Sequence, residues 1–270
     1  MAAATRLAAR HLDERVGEAP LYLIGYSNGA TLAVHHALAA LDDDTLPPVD
    51  GLVLLSPSIA VSPLARFAVW QARVGHWVGV EKLAWNSIQP EYDPYKYGSF
   101  AINAGDQVYR LTVELQRQLD RAAAQGGLES LPPILAFQST VDGTVSARAV
   151  LEQLYFRLPD AGHELVLFDL NRREELEPFL IEDPRDTFLP LLENHRLDYT
   201  LEVLTNVPGS SRIELWRKEP GTPLEELPLD LEWPADVYSL SHVALPFPPD
   251  DPLYGGRPGG DVPLLLGTLA

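Results

Sequence analysis

Over residues 4–16, Ala4, Leu7, Ala8, Leu12 and Val16 recur at helical spacing, which predicts an amphipathic helix closed by Gly17 and Pro20. The period then collapses into the continuous apolar run Leu21-Tyr22-Leu23-Ile24, which predicts a short strand buried on both faces. After the turn Gly25-Tyr26-Ser27-Asn28-Gly29, helical spacing returns in Ala30, Ala33, Val34, Ala37, Leu38 and Leu41. Asp42-Asp43-Asp44 and Pro47-Pro48 mark an exit loop, and Leu52-Val53-Leu54-Leu55-Ser56 predicts a second buried strand.

Residues 62–100 are rich in Trp and Tyr and show no period, which suits an inserted cap. Val108, Leu111, Leu115 and Leu119 predict a helix near 106–124. Ile134-Leu135-Ala136-Phe137 reads as a third strand, residues 147–157 as a helix, and Glu164-Leu165-Val166-Leu167-Phe168 as a fourth strand. Strands alternating with helices at this rhythm predict an α/β fold whose four strands lie parallel in chain order. Farther on, Tyr199–Leu204 and Arg212–Trp216 flank Pro208-Gly209-Ser210-Ser211 and predict a hairpin within a second insertion. The expected organisation is therefore a core of residues 1–61, 101–171 and 236–270, a cap at 62–100, and a second insertion at 172–235.

Composition narrows the chemistry. Thirty-eight acidic residues against twenty Lys and Arg give a net charge of −18, which argues against a polyanionic partner such as nucleic acid. There is no cysteine, so disulfides, thiolate catalysis and Cys-based zinc sites are excluded. The opening Met1-Ala2-Ala3-Ala4-Thr5-Arg6-Leu7 lacks the apolar core of a signal peptide, and no window approaches the ~20 apolar residues of a membrane span. Localisation stays open.

Ser27 is the candidate nucleophile. A serine hydroxyl is weak at neutral pH and needs a base to take its proton and a third group to orient that base. It must also stand clear of the sheet, which a sharp strand-to-helix turn achieves if glycines flank the serine at two residues on each side. Gly25-Tyr26-Ser27-Asn28-Gly29 meets that demand between a strand and a helix.

The segment Leu23 to Ala30 resembles the nucleophile elbow of the α/β-hydrolase superfamily. More narrowly it resembles bacterial carboxylesterases related to monoacylglycerol lipases and the serine aminopeptidase group, over residues 1 to about 250. The resemblance implies the chain order nucleophile, acid, histidine. It places the acid at Asp142, after the third readable strand, where the plain alternative is an Asp-Gly turn residue. For the base, His163 precedes the fourth strand and lies on the wrong edge, and His11, His35 and His36 read as surface or boundary histidines on helices. His76 lies in the cap. His195 has charged neighbours, whereas His242 lies among small and apolar residues, so His242 is the preferred base.

One oxyanion donor is expected from the backbone N–H of Asn28; the second, in the family, comes from a loop several elements upstream. Only one helix precedes the elbow strand here, so the chain is expected to be a fragment lacking the first strands of the fold, with weak turnover. The expected activity is carboxylic-ester hydrolysis through an acyl-serine, without cofactor or metal, on a small ester or acyl substrate. Phe67, Trp70, Trp77, Trp85, Tyr92, Tyr95 and Tyr97 would line an acyl pocket or pack the cap. Two alternatives remain at this point: an aminopeptidase or amidase whose cap acids Glu81, Glu91 and Asp93 hold an amine, and a non-catalytic hydrolase-like scaffold.

Overall fold

A computed structural model describes residues 1–60, 85–87, 100–142, 145–171, 183–194 and 196–233. Nine strands are present among these: β1 (Tyr22–Tyr26), β2 (Gly51–Leu55), β3 (Trp85–Ser87), β4 (Phe100–Ala101), β5 (Ile134–Ser139), β6 (Glu164–Asp169), β7 (Thr200–Asn206), β8 (Arg212–Lys218) and β9 (Glu225–Glu232). The helices are α1 (Ala2–Val16), α2 (Asn28–Asp42), α3 (Ile102–Ala124), α4 (Ala147–Gln153) and α5 (Arg185–Asn194).

Seven strands form one sheet in the order β1-β2-β5-β6-β7-β8-β9. The pairs from β1 through β7 are parallel, and β7, β8 and β9 pair antiparallel. The four strands read from the sequence are thus adjacent, parallel and in chain order. Because consecutive strands are parallel, each connection crosses over, and every loop leaving β1, β2, β5 and β6 emerges at the same edge of the sheet. The short strands β3 and β4 pair antiparallel outside this sheet.

One face of the sheet carries the main core. Leu52, Leu54, Ile134, Ala136, Leu165, Leu167, Leu201 and Val203 point to it, and residues of α2, α3, α4 and α5 close over them. On α3 the expected stripe holds: Leu115 and Leu119 are fully buried and Leu111 nearly so. A smaller cluster of Val166, Phe168, Ile213 and Trp233 covers part of the other face.

Three expectations need correction. β1 is not buried on both faces: it is the sheet's edge strand, and the second cluster fades before reaching it, leaving Tyr22 58% and Ile24 73% exposed. On α1 the stripe of Leu7, Leu12 and Val16 faces outward, and Ala9 is the buried residue, because the helix leans on α2 by a different side. The hairpin expected within a second insertion is continuous with the main sheet: β7 pairs with β6, and its Leu201 and Val203 belong to the main core. β9 had no clear signature, since Pro228 and four acidic residues interrupt its alternation. Proline is tolerated on such an outer strand, where a missing N–H leaves no ladder bond unmade. Most of the 62–100 cap and all of 236–270 lie outside the described residues.

Candidate active site

Ser27 follows directly on β1 and precedes α2, with φ 52° and ψ −116°. A non-glycine residue in that region costs on the order of 1–3 kcal/mol and persists only where its surroundings over-determine it. Here they do. Ser27 N–H donates to Leu55 O of the neighbouring strand at 2.8 Å, and Ser27 O accepts from Ala30 N at 3.1 Å, Ser58 N at 3.2 Å and Thr31 N at 3.4 Å. The loop after β2 is tied in turn, since the buried Thr31 Oγ1 donates to Ser58 O at 2.7 Å. Ser56, at the same end of β2, also has positive φ (47°), and its N–H donates to Phe137 O of β5 at 2.8 Å.

The hydroxyl of Ser27 is not consumed locally. Serine at a helix N-cap ordinarily accepts from an amide of the first turn, but Ser27 makes no side-chain cap bond to α2. The amides of Asn28 and Gly29 lie ahead of the helix's own ladder, which opens with Ala30 N, so they point out of the N-terminus of α2, where partial positive charge favours an anion.

The two glycines of the turn serve different ends. A Cβ on Gly25 would lie 2.5 Å from both Cα and N of Ala30 and 2.6 Å from the carbonyl carbon of Gly29, so β1 and α2 cross too closely there for any side chain. At Gly29 an added Cβ meets nothing within 4 Å. The close approach explains the first glycine; the second borders open space beside the serine.

Asp142 follows β5, two strands from β1 at the same sheet edge, a lateral offset of about 10 Å at ~4.8 Å per strand. An imidazole with a hydrogen bond on each nitrogen spans most of that distance. The carboxylate is buried, at 8% exposure, and held at both oxygens: Val145 N–H donates to Oδ1 at 2.9 Å and Gln138 Nε2 to Oδ2 at 3.3 Å. Tyr26, next to the serine, lies within its field. Burial pushes the Tyr26 hydroxyl pKa up, and the charge of Asp142 pushes it further. Next along the edge, Asp169 at the end of β6 accepts from Thr140 Oγ1 at 3.0 Å and Arg185 Nε at 2.7 Å, a structural pair that ties the β5 and β6 ends together.

The structure thus brings Gly25, Tyr26, Ser27, Asn28 and Gly29 to one βα turn, with Asp142 on the same edge. His242 and the competing His195 both lie outside the described residues, as does the aromatic stretch of the cap apart from the backbone of Trp85 in β3. Of the other histidines, His11 is exposed as expected. His35 and His36 are not at the surface: they are 8% and 1% exposed, because α2 is covered by α1 and α3 as well as by the sheet. Burial lowers the pKa of both, and His36 Nε2 bonds Pro47 O at 3.2 Å. His163, at the opposite sheet edge, is buried; its Nδ1 accepts from Ile134 N, and burial drops its pKa to about 4.

Sequence reasoning missed Gln138, Thr31 and the Ser56-Pro57-Ser58 turn, which hold the two candidate residues in place. For Gln138 the signal was available: a carboxamide ends a strand whose inward face is otherwise Ile134 and Ala136. Among the described residues no cluster of His, Asp or Glu is placed to hold a metal ion, and no helix is long and apolar enough to cross a membrane. No protein-family model matches the chain, and no curated protein matches it.

Proposed function

We propose that the chain is a serine hydrolase of the α/β-hydrolase kind that cleaves carboxylic esters through an acyl-serine intermediate. The observation that carries this reading is Ser27 itself. It is a serine in a strained left-handed conformation between a parallel strand and a helix, its backbone bonded on all sides and its hydroxyl left out of the helix cap. Strain so supported is a feature of sites rather than of simple turns.

In this reading Ser27 Oγ attacks the ester carbonyl while His242 Nε2 takes its proton. Asp142 faces the other imidazole nitrogen and stabilises the imidazolium. The carbonyl oxygen becomes an oxyanion met by the Asn28 N–H at the N-terminus of α2. Collapse breaks the bond to the alkoxy group, which leaves as the alcohol with the proton from His242. Water, activated by the same imidazole, then attacks the acyl-serine and releases the carboxylic acid. Asn28 supplies one oxyanion donor, and removing such a donor typically costs ~10²–10³ in rate.

The test is a panel of p-nitrophenyl esters of increasing acyl length beside aminoacyl p-nitroanilides, run with the native chain and Ser27→Ala. Ester turnover lost in Ser27→Ala supports the proposal. Anilide cleavage without ester cleavage moves the assignment to an aminopeptidase or amidase, and turnover that survives Ser27→Ala refutes it.

A further inference from the structure

Gln138 occupies a position that packing alone would give to a hydrophobe. It is fully buried, follows Ile134 and Ala136 on the inward face of β5, and lies in register with Leu167 of β6. Its carboxamide turns toward the loop that carries Asp142. Nε2 lies 3.0 Å from Ser139 O, 3.3 Å from Asp142 Oδ2 and 3.3 Å from Val145 O. All three are acceptors, so only the nitrogen end of the amide can face them, and its two N–H groups are shared among three oxygens. Among the described residues Oε1 has no partner, although it is buried. A buried carbonyl in that state keeps its desolvation penalty, whereas Met or Leu fills a similar volume without it.

We infer that Gln138 is a positioning residue for Asp142, its amide fixing which way the carboxylate faces at the end of β5. The inference rests on the hydrolase reading for its consequence in catalysis, although the contact itself does not. Among the described residues, the carboxylate accepts from the Val145 N–H of the loop beyond it at Oδ1 and from the Gln138 amide of the strand beneath it at Oδ2. The loop N–H and the strand-borne amide reach the carboxylate from different elements, so together they restrict its rotation. The same amide also bonds the carbonyls of Ser139 and Val145, which lie on either side of Asp142 in the chain.

The experiment uses the full chain with Gln138→Met, which keeps volume and removes both donors, alone and combined with Asp142→Asn. The activity-independent arm follows the side-chain ¹⁵N amide resonances of Gln138, which should move on Asp142→Asn if the two groups are in contact. The catalytic arm measures the rate of fluorophosphonate labelling and ester kinetics. Gln138→Met is expected to lower kcat about 10–100-fold with KM held within about twofold, as a misaligned group does. On the Asp142→Asn background it should change the labelling rate less than about twofold, since there is no carboxylate left to orient. Unmoved amide resonances overturn the inference, as does an equal loss of labelling rate with and without Asp142. A native chain without labelling or turnover, whose Gln138 resonances still respond to Asp142→Asn, counts against the hydrolase reading and for the clamp.

Discussion

Replacing Gly25 with alanine tests the geometry of the turn without touching any group that carries chemistry. The new Cβ would lie 2.5 Å from Cα and N of Ala30 and 2.6 Å from C of Gly29. Ordinary carbon contacts are about 3.5–4.0 Å, so the overlap is about 1 Å and all of it falls on backbone. No side chain can rotate away; relief requires α2 to move off β1. That movement is opposed by the Ser27 N–H bond to Leu55 O and the Thr31 bond to Ser58 O. Overpacking of this kind costs about 1–3 kcal/mol, and a purely backbone clash belongs at the upper end. At roughly 2–4 °C per kcal/mol for a chain of this size, ~3 kcal/mol lowers the melting temperature by ~6–12 °C. Gly29→Ala is the control: its Cβ meets nothing within 4 Å, and alanine in a helix is favoured over glycine by up to ~1 kcal/mol. Calorimetric or denaturant unfolding of the two variants should therefore shift in opposite directions. A Gly25→Ala protein as stable as the native one, or two variants destabilised alike, would refute the close crossing of β1 and α2.

Thr31→Val keeps shape and removes the hydroxyl that anchors Ser58 O, so it should cost about 1–3 kcal/mol in urea unfolding; no change would mean that the loop after β2 is held by other contacts. Acid should destabilise the fold through His163, whose pKa falls from 6.5 unfolded to about 4 folded because burial disfavours its charge. A depressed histidine pKa means that the unfolded chain binds the extra proton. The stability is thus complete above pH 6.5, is lost as pH falls toward 4, and totals on the order of 3 kcal/mol. His35 and His36, also lowered by burial, add to the same slope, and His163→Gln should flatten it measurably in pH-dependent denaturation.

The parallel strands were legible because each was a short unbroken apolar run, and the βα turn at Ser27 because glycine, serine and glycine fell between such a run and a helical period. What escaped the sequence depended on partners distant along the chain. Nothing in Tyr22 or Ile24 distinguishes an edge strand from a central one, since that depends on which strand lies beside it. His35 and His36 look like surface residues until α3, more than sixty residues away, is laid over α2. The β7–β8 hairpin was visible in its turn, but its membership of the main sheet rests on the pairing of β7 with β6 across α5. At the candidate site, the glycine spacing singled out Ser27 as a candidate, and Asp142 was singled out only by the chain order that the resemblance implies. The bonds that hold them, from Thr31, Ser58, Val145 and Gln138, are made by residues whose types carry no motif.

The central claim is that Ser27 is an activated nucleophile, and a fluorophosphonate probe reads that claim without requiring a complete oxyanion hole or a known substrate. The folded chain is treated with the probe, digested, and the modified peptide located by mass spectrometry, beside Ser27→Ala and a urea-unfolded sample. A single adduct on Ser27, absent from both controls, is the predicted result. A folded chain that leaves Ser27 unmodified, or that labels equally well as Ser27→Ala, would contradict the account.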